Sequence, residues 1–114
     1  MSQTTFKIPG SPTTYALHPN VKRYTLRDNG FVETKNGNFQ YERPLSTVVT
    51  DKKAPVLKMT INKNFQRVRV SIVSGAARAK KVNVFAGDKW QEAREMLTFI
   101  LDEFKSAEII QEYV

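Results

Sequence analysis

Residues 88–105, DKWQEAREMLTFILDEFK, decide the fold of this chain. Apolar side chains recur in this stretch at steps of three and four, the spacing of one broad stripe on an α-helix. The stripe consists of Trp90, Ala93, Met96, Leu97, Ile100, Leu101 and Phe104. Asp88 stands where an N-cap belongs, because its carboxylate can accept hydrogen bonds from the free amides of the first turn. The sequence therefore predicts a helix over 88–105 whose stripe, Trp90 included, is core and covers an apolar surface.

The surface for this helix comes from segments in which apolar and polar residues alternate. The clearest are VLKMTIN (56–62), QRVRVSIV (66–73) and KVNVF (81–85). Strict alternation is typical of antiparallel strands with one apolar and one solvated face. Shorter strand signals lie at 4–8 and 13–17, and Ile109, Ile110, Tyr113 and Val114 suggest a last packed segment.

Two turn signals divide the first half of the chain. Asn36-Gly37 separates FVETK from NFQYERPL, and this pair favours the positive φ angles of a type I′ hairpin turn. Alternation then places Phe39, Tyr41 and Arg43 on one side of the second strand. Earlier, Asn20 is the expected N-cap of a short helix that Gly30 ends. We therefore expect strand, short helix, hairpin, further strands and long helix.

This order predicts an α+β fold, a single domain over residues 1–114. One curved antiparallel sheet of about five to six strands would pack on the C-terminal helix, in the order β-α-β(4–5)-α. TATA-binding-protein-like and helix-grip folds share that order, although an analogy of fold carries no function with it.

Charge is distributed unevenly along the chain, whose formal net charge is +7. Residues 52–87 hold nine basic and no acidic side chains, whereas residues 88–114 hold three basic and seven acidic ones. Alternation turns four of the cations to the polar face of the predicted sheet: Lys58, Arg67, Arg69 and Lys81. Such a face binds the phosphate or carboxylate groups of a protein or RNA partner. It is equally explained as a solvated surface that discourages edge-to-edge aggregation.

A second hypothesis is a small-molecule pocket. Helix-grip folds can leave a cavity between sheet and helix, and here it would be lined by Tyr24, Tyr41, Arg43 and Trp90. An apolar cavity with a few converging polar groups would favour this hypothesis over a flat basic surface. An unpaired sheet edge would also make a homodimer easy to build.

Enzymatic chemistry has little support in the sequence. His18 is the single histidine, and no nearby carboxylate or nucleophile is arranged around it, so we interpret it as a residue at a strand-to-helix corner. The chain has no cysteine and no EF-hand spacing, and SGAARAK (74–80) lacks the pattern of a phosphate-binding loop. We therefore expect no catalytic residues, metal or cofactor. The start of the chain lacks a signal-peptide pattern and no long apolar run is present, which favours a cytosolic protein away from membranes.

Residues 17–45, LHPNVKRYTLRDNGFVETKNGNFQYERPL, resemble the signature of a family of Gram-positive bacteria, the domain of unknown function 1831. The length of the chain and the order of its elements also fit that family. The resemblance implies a link to amino-acid metabolism and, through neighbouring genes, to sulfur metabolism. It implies no catalytic residues, because none is established for the family.

Overall fold

A computed structural model of the chain describes residues 4–8, 10–46, 54–73, 81–85 and 90–113. Within these ranges strands and helices follow one another in the order ββαββββαβ. The elements are β1 (Thr5–Lys7), β2 (Thr14–Leu17), α1 (Arg23–Asp28), β3 (Val32–Glu33), β4 (Phe39–Pro44), β5 (Val56–Ile61), β6 (Val68–Val73), α2 (Gln91–Ser106) and β7 (Ile110–Glu112). Neither of these helices is long and apolar enough to cross a membrane.

The strands form two antiparallel sheets, with the orders β1-β2-β7 and β3-β4-β5-β6. The α+β class is confirmed, but the prediction of one continuous sheet is wrong. After α2 the chain turns at Glu108, whose φ is +61°, and β7 returns to pair with β2. The first and last strands thereby make a sheet of their own. The predicted strand at 81–85 is reduced to one bridge between Lys81 and Val73.

Helix α2 packs its apolar stripe into the core, as its periodicity predicts. Five of its residues are buried: Ala93, Leu97, Ile100, Leu101 and Phe104. The helix begins at Gln91, with Trp90 at the N-cap and no side-chain capping bond. The predicted N-cap, Asp88, lies outside the described residues. Trp90 is only partly buried against the core, because it precedes the helix instead of lying within it.

The opposing wall of the core is the inner face of the four-stranded sheet. Alternation along β5 buries Leu57, Met59 and Ile61, as predicted. On β4 it buries Phe39 and Tyr41 and leaves the intervening side chains exposed. Apolar residues of β1 and β2 join the same cluster, so one core connects both sheets with the helix.

Helix α1 begins and ends by different means. It starts at Arg23, and its N-cap residue Lys22 makes no side-chain capping bond. The prediction of Asn20 as N-cap is wrong, because the N-cap position is occupied by Lys22. The side-chain amide of Asn20 instead donates to Glu108 Oε2 at 3.0 Å. The prediction of Gly30 as C-terminal stop is confirmed. Its φ is +95°, and the next amide donates back to the carbonyl of Leu26 at 3.0 Å, in a Schellman motif.

The hairpin between β3 and β4 forms at the predicted place with a different turn. Gly37 has a φ of +86°, but Asn36 does not adopt a positive φ, so the predicted type I′ turn is wrong. Instead Gly37 N–H donates to Thr34 O at 2.9 Å and Thr34 N–H donates to Asn38 O at 2.7 Å. This matches the three-residue loop in which a type I turn precedes a left-handed glycine.

Gly37→Val should lower the free energy of unfolding by about 1–3 kcal/mol, because a β-branched residue resists positive φ. Urea unfolding followed by circular dichroism measures the loss. Gly37→Asn is the matched control and should cost much less, since asparagine tolerates the left-handed region. Equal losses for the two variants would contradict backbone strain as the cause.

Tyr15 gives the fold a dependence on alkaline pH. Burial raises the pKa of its phenol above the ordinary value of 10.0, and the carboxylates of Glu112 and Asp102 raise it further, against a hydrogen bond with Thr13 that lowers it. The unfolded chain therefore releases this proton at a lower pH than the folded one. The stability that this neutral phenol contributes is complete below about pH 10 and is lost as pH rises through the folded-state pKa.

Urea unfolding at pH 8 and above pH 10 measures how much the free energy of unfolding falls as pH rises. We expect this fall to be smaller in Tyr15→Phe than in the wild type. Tyr24→Phe is the control for a phenol that is 62% exposed, and it should follow the wild type. An alkaline loss unchanged in Tyr15→Phe would assign the effect to other groups.

Candidate anion-binding site

Register across the four-stranded sheet decides which charges share its outer face. Lys58 on β5 lies between Glu42 on β4 and Ser71 on β6, while Arg69 lies opposite Thr60. Cross-strand partners point to the same side of a sheet, so Lys58 and Arg69 share the polar face, as alternation predicts. Counting charges along the chain missed Glu42, which comes from another strand and stands beside Lys58.

The surroundings of Lys58 are therefore electrically mixed. A shallow depression of about 450 Å³ has one basic and one acidic side chain in its lining, with no excess of positive charge. It is lined by Gly30, Val32, Gln40, Tyr41, Glu42, Lys58, Met59 and Thr60. Lys58 is thus a weaker candidate for anion binding than its place on the face suggests.

A second depression, of about 460 Å³, lies where β1 approaches β6, and we call it the basic cleft. Its lining contains three basic side chains, a hydroxyl and no acidic group. The lining residues are Phe6, Lys7, Val68, Arg69, Val70, Ser71 and Lys81. Lys7 was not among the sequence candidates, although alternation on β1 already set it with the exposed residues beside buried Phe6.

The four cations predicted from the sequence are thus divided. Arg69 and Lys81 line the basic cleft, whereas Lys58 lines the mixed depression. Arg67 is exposed and precedes β6, where its amide donates to Asn62 Oδ1 at 2.9 Å, and it lines neither of these two depressions.

The cations of the basic cleft also lack acidic neighbours. Elsewhere, Arg27 pairs with Glu33 at 3.5 Å, and Lys105 lies 3.8 Å from Asp102. In the ranges that the structure describes, no carboxylate forms an ion pair with Lys7, Arg69 or Lys81. Three like charges around one cleft make a positive potential that favours an anion.

Comparison with known proteins gives the chain a family. The family model of DUF1831, a domain of unknown function provisionally assigned to amino acid metabolism, matches residues 1–111. The chain belongs to this family. A DUF1831 family protein from Lactobacillus plantarum, whose crystal structure is known, is 36% identical to this chain in sequence. The two structures match with a TM-score of 0.86, and the match covers 99% of each chain. None of the curated proteins matches the chain. The resemblance seen in residues 17–45 is therefore confirmed.

The four residues proposed for a small-molecule pocket lie on three different parts of this DUF1831 domain: α1, β4 and the residue before α2. Tyr24 is exposed on α1, because the helix buries Leu26 and a residue two positions away points to the opposite side. Tyr41 is in the core, with its ring centroid 5.1 Å from that of Phe31. Arg43 is half-buried on β4, and Trp90 is half-buried before α2. The depression around Lys58 is lined by Tyr41 and by none of the other three.

His18 serves the local structure of the DUF1831 domain at the corner between β2 and α1. Its Nδ1 accepts a hydrogen bond from the main-chain amide of Asn20 at 3.0 Å, and its Nε2 lies 3.7 Å from Glu108 Oε2. Both ring nitrogens thus face structural partners, which leaves neither placed as a general base. Over the described ranges, no three histidine or acidic side chains stand close enough to hold a metal ion.

Proposed function

We propose that this DUF1831 domain is a non-catalytic binding module that holds an anionic partner at the basic end of its four-stranded sheet. The supporting observation is the convergence of Lys7, Arg69 and Lys81 on one cleft whose lining has no acidic side chain. An ordinary solvated surface would intersperse both signs, as the depression around Lys58 does.

An acidic protein segment fits this surface better than RNA does. Sheets that bind single-stranded RNA usually present aromatic rings on which bases stack. Of the aromatic candidates, Phe39 and Tyr41 are buried in the core, and Phe85 is half-buried against it. Carboxylates need only the cations and hydrogen-bond donors, which the basic cleft supplies.

The test is a titration of the labelled domain with polyglutamate at several salt concentrations. We expect Arg69→Ala with Lys81→Ala to weaken binding about 100-fold or more, since hydrogen bonds to charged groups contribute about 1.5–3 kcal/mol each. Lys22→Ala with Lys35→Ala removes the same net charge from exposed sites elsewhere and should change binding little. Equal weakening by the two pairs would contradict a localised site.

A single-stranded RNA forms the second arm of this test. For a nucleic acid, each phosphate contact contributes about 0.7 to the slope of log affinity against log salt. RNA binding tighter than polyglutamate, with a slope reduced by about 1.4 in Arg69→Ala with Lys81→Ala, would replace the acidic protein by RNA as the partner.

The alternative proposal is a helix-grip or TATA-binding-protein-like domain with a ligand between sheet and helix. Packing weighs against it at one place between β4 and α2, where the ring centroids of Phe31, Tyr41 and Phe104 lie 5.1–5.5 Å from one another. A role in amino-acid or sulfur metabolism, a cytosolic location and a homodimer likewise remain proposals, the first resting on the family's provisional assignment.

A further inference from the structure

We propose that the basic cleft is a site for one phosphate monoester in its dianionic form. This inference rests on the proposed function for the sign of the ligand's charge, and it adds the ligand's chemical class and size. The argument comes from the strand edges, the charges and the dimensions of the cleft.

The first support is the direction of a main-chain donor on the wall of the cleft. The carbonyl of Ile72 points away from β5, because it accepts a hydrogen bond from the Val82 amide at 2.8 Å. Main-chain groups alternate between the two edges of a strand, and the register of β6 with β5 is continuous from Val68 to Val73. The Val70 amide therefore also points to the edge away from β5, where no other described residue accepts its hydrogen bond.

Among the described strands, β1 is the edge strand of its sheet. The carbonyl of Thr4 accepts from the Leu17 amide at 3.0 Å, so the main-chain groups of Thr4 and Phe6 point to β2. By the same alternation the Lys7 amide points away from β2. Main-chain N–H groups are strong donors, so the Val70 amide, on a partly buried residue beside three cations, can donate to a bound anion.

The charges of the cleft match a dianion better than a carboxylate. Arg69 and Ser71 lie on one face of β6, two residues apart, and Lys81 reaches the same face through its bridge with Val73. Together with Lys7 they surround the cleft with three positive charges and a hydroxyl. Arginine can pair with two phosphate oxygens at once, which a single carboxylate matches less well once two lysines are also present.

The size of the cleft limits what carries the phosphate. A volume of about 460 Å³ holds a small molecule or one side chain. Cα atoms of β1 and β6 come within 8 Å of each other, whereas a strand inserted between them needs about 9.5 Å. A peptide can therefore enter only by a side chain, so the phosphate comes either from a phosphorylated side chain or from a small phosphate monoester.

The experiment is a two-dimensional ¹H–¹⁵N NMR titration with phenyl phosphate, benzoate and a phosphoserine peptide. We expect phenyl phosphate to shift the Val70 amide saturably and to bind about 10-fold more weakly at pH 5 than at pH 7.5, because the second pKa of a phosphate monoester is about 6. Arg69→Gln and Lys81→Gln should each weaken phenyl phosphate binding about 10-fold or more, whereas Lys35→Gln in the hairpin loop should not.

The phosphoserine peptide distinguishes the two sources of the phosphate. Tighter binding of the peptide would identify a phosphorylated partner as the source, and tighter binding of phenyl phosphate would identify a small molecule.

Two results would overturn the inference: benzoate binding as tightly as phenyl phosphate, or shifts spread over surface lysines with Val70 unmoved. The controls separate this inference from the proposed function. Phosphate binding at Val70 without polyglutamate binding would retain the site and reject the acidic protein partner. Polyglutamate binding through Arg69 and Lys81 without a phosphate-induced shift at Val70 would retain the proposed function and reject the phosphate site.

Discussion

Phe104→Ala should lower the free energy of unfolding by about 3–5 kcal/mol, the largest loss we expect from one side chain of α2. The ring is 2% exposed, and its centroid lies 5.5 Å from that of Phe31 and 5.2 Å from that of Tyr41. These neighbours are held by different elements, so the cavity left by alanine cannot close without moving β4 or the segment after α1. A domain of this size has about 5–15 kcal/mol of stability, so the variant would lose between about a fifth of it and all of it.

Phe99→Ala is the matched control for that measurement. Phe99 lies on the same helix, and its side chain is 52% exposed, so the same substitution removes little buried surface. Its effect should stay within about 0.5 kcal/mol in urea unfolding. A small loss in Phe104→Ala, or equal losses in both variants, would show that α2 does not hold the sheet through this ring cluster.

Local periodicity carried the part of the fold that was predicted. Leu57, Met59 and Ile61 of β5 and the buried residues of α2 are identified by neighbours two, three or four positions away, so a single sequence contains the information. The same holds for Gly30, because a helix C-terminus requires a left-handed residue at a fixed place.

The pairing of strands that are distant in sequence could not be predicted from local periodicity. The split into two sheets depends on β7 pairing with β2, whose residues lie more than 90 positions earlier in the chain. No periodic signal encodes such a partner. Asn20 failed as an N-cap for a similar reason: its amide binds Glu108, which only the turn after α2 brings near.

Pairing between distant strands also decides which of the predicted cations share a site. Alternation placed Lys58 and Arg69 correctly on one face, but register decided that Glu42 stands beside Lys58. Lys7 joined Arg69 and Lys81 only because β1 approaches β6. Charge counted along a sequence identifies the surface, whereas charge counted across strands identifies the site.

Gly30→Val should destabilise the domain by about 1–3 kcal/mol more than Gly37→Val does, because two effects act at Gly30 and one at Gly37. Both glycines have positive φ, +95° and +86°, so valine introduces similar backbone strain at each. At Gly30 an added Cβ would also lie 3.2 Å from Cε1 of the buried Tyr41 ring, which Phe31 and Phe104 prevent from moving away. At Gly37 the nearest atom is Cβ of Lys63 at 3.5 Å, an ordinary contact.

The excess at Gly30 is the cost of overpacking the ring cluster, and urea unfolding of both variants measures it as a difference. Tyr41→Leu supplies the cross-check, because a smaller side chain opposite Gly30 should remove most of the excess in the double variant. If the excess loss of stability persists in the double variant, the added strain lies in the Schellman turn of α1 and not in the contact between residue 30 and Tyr41 of β4.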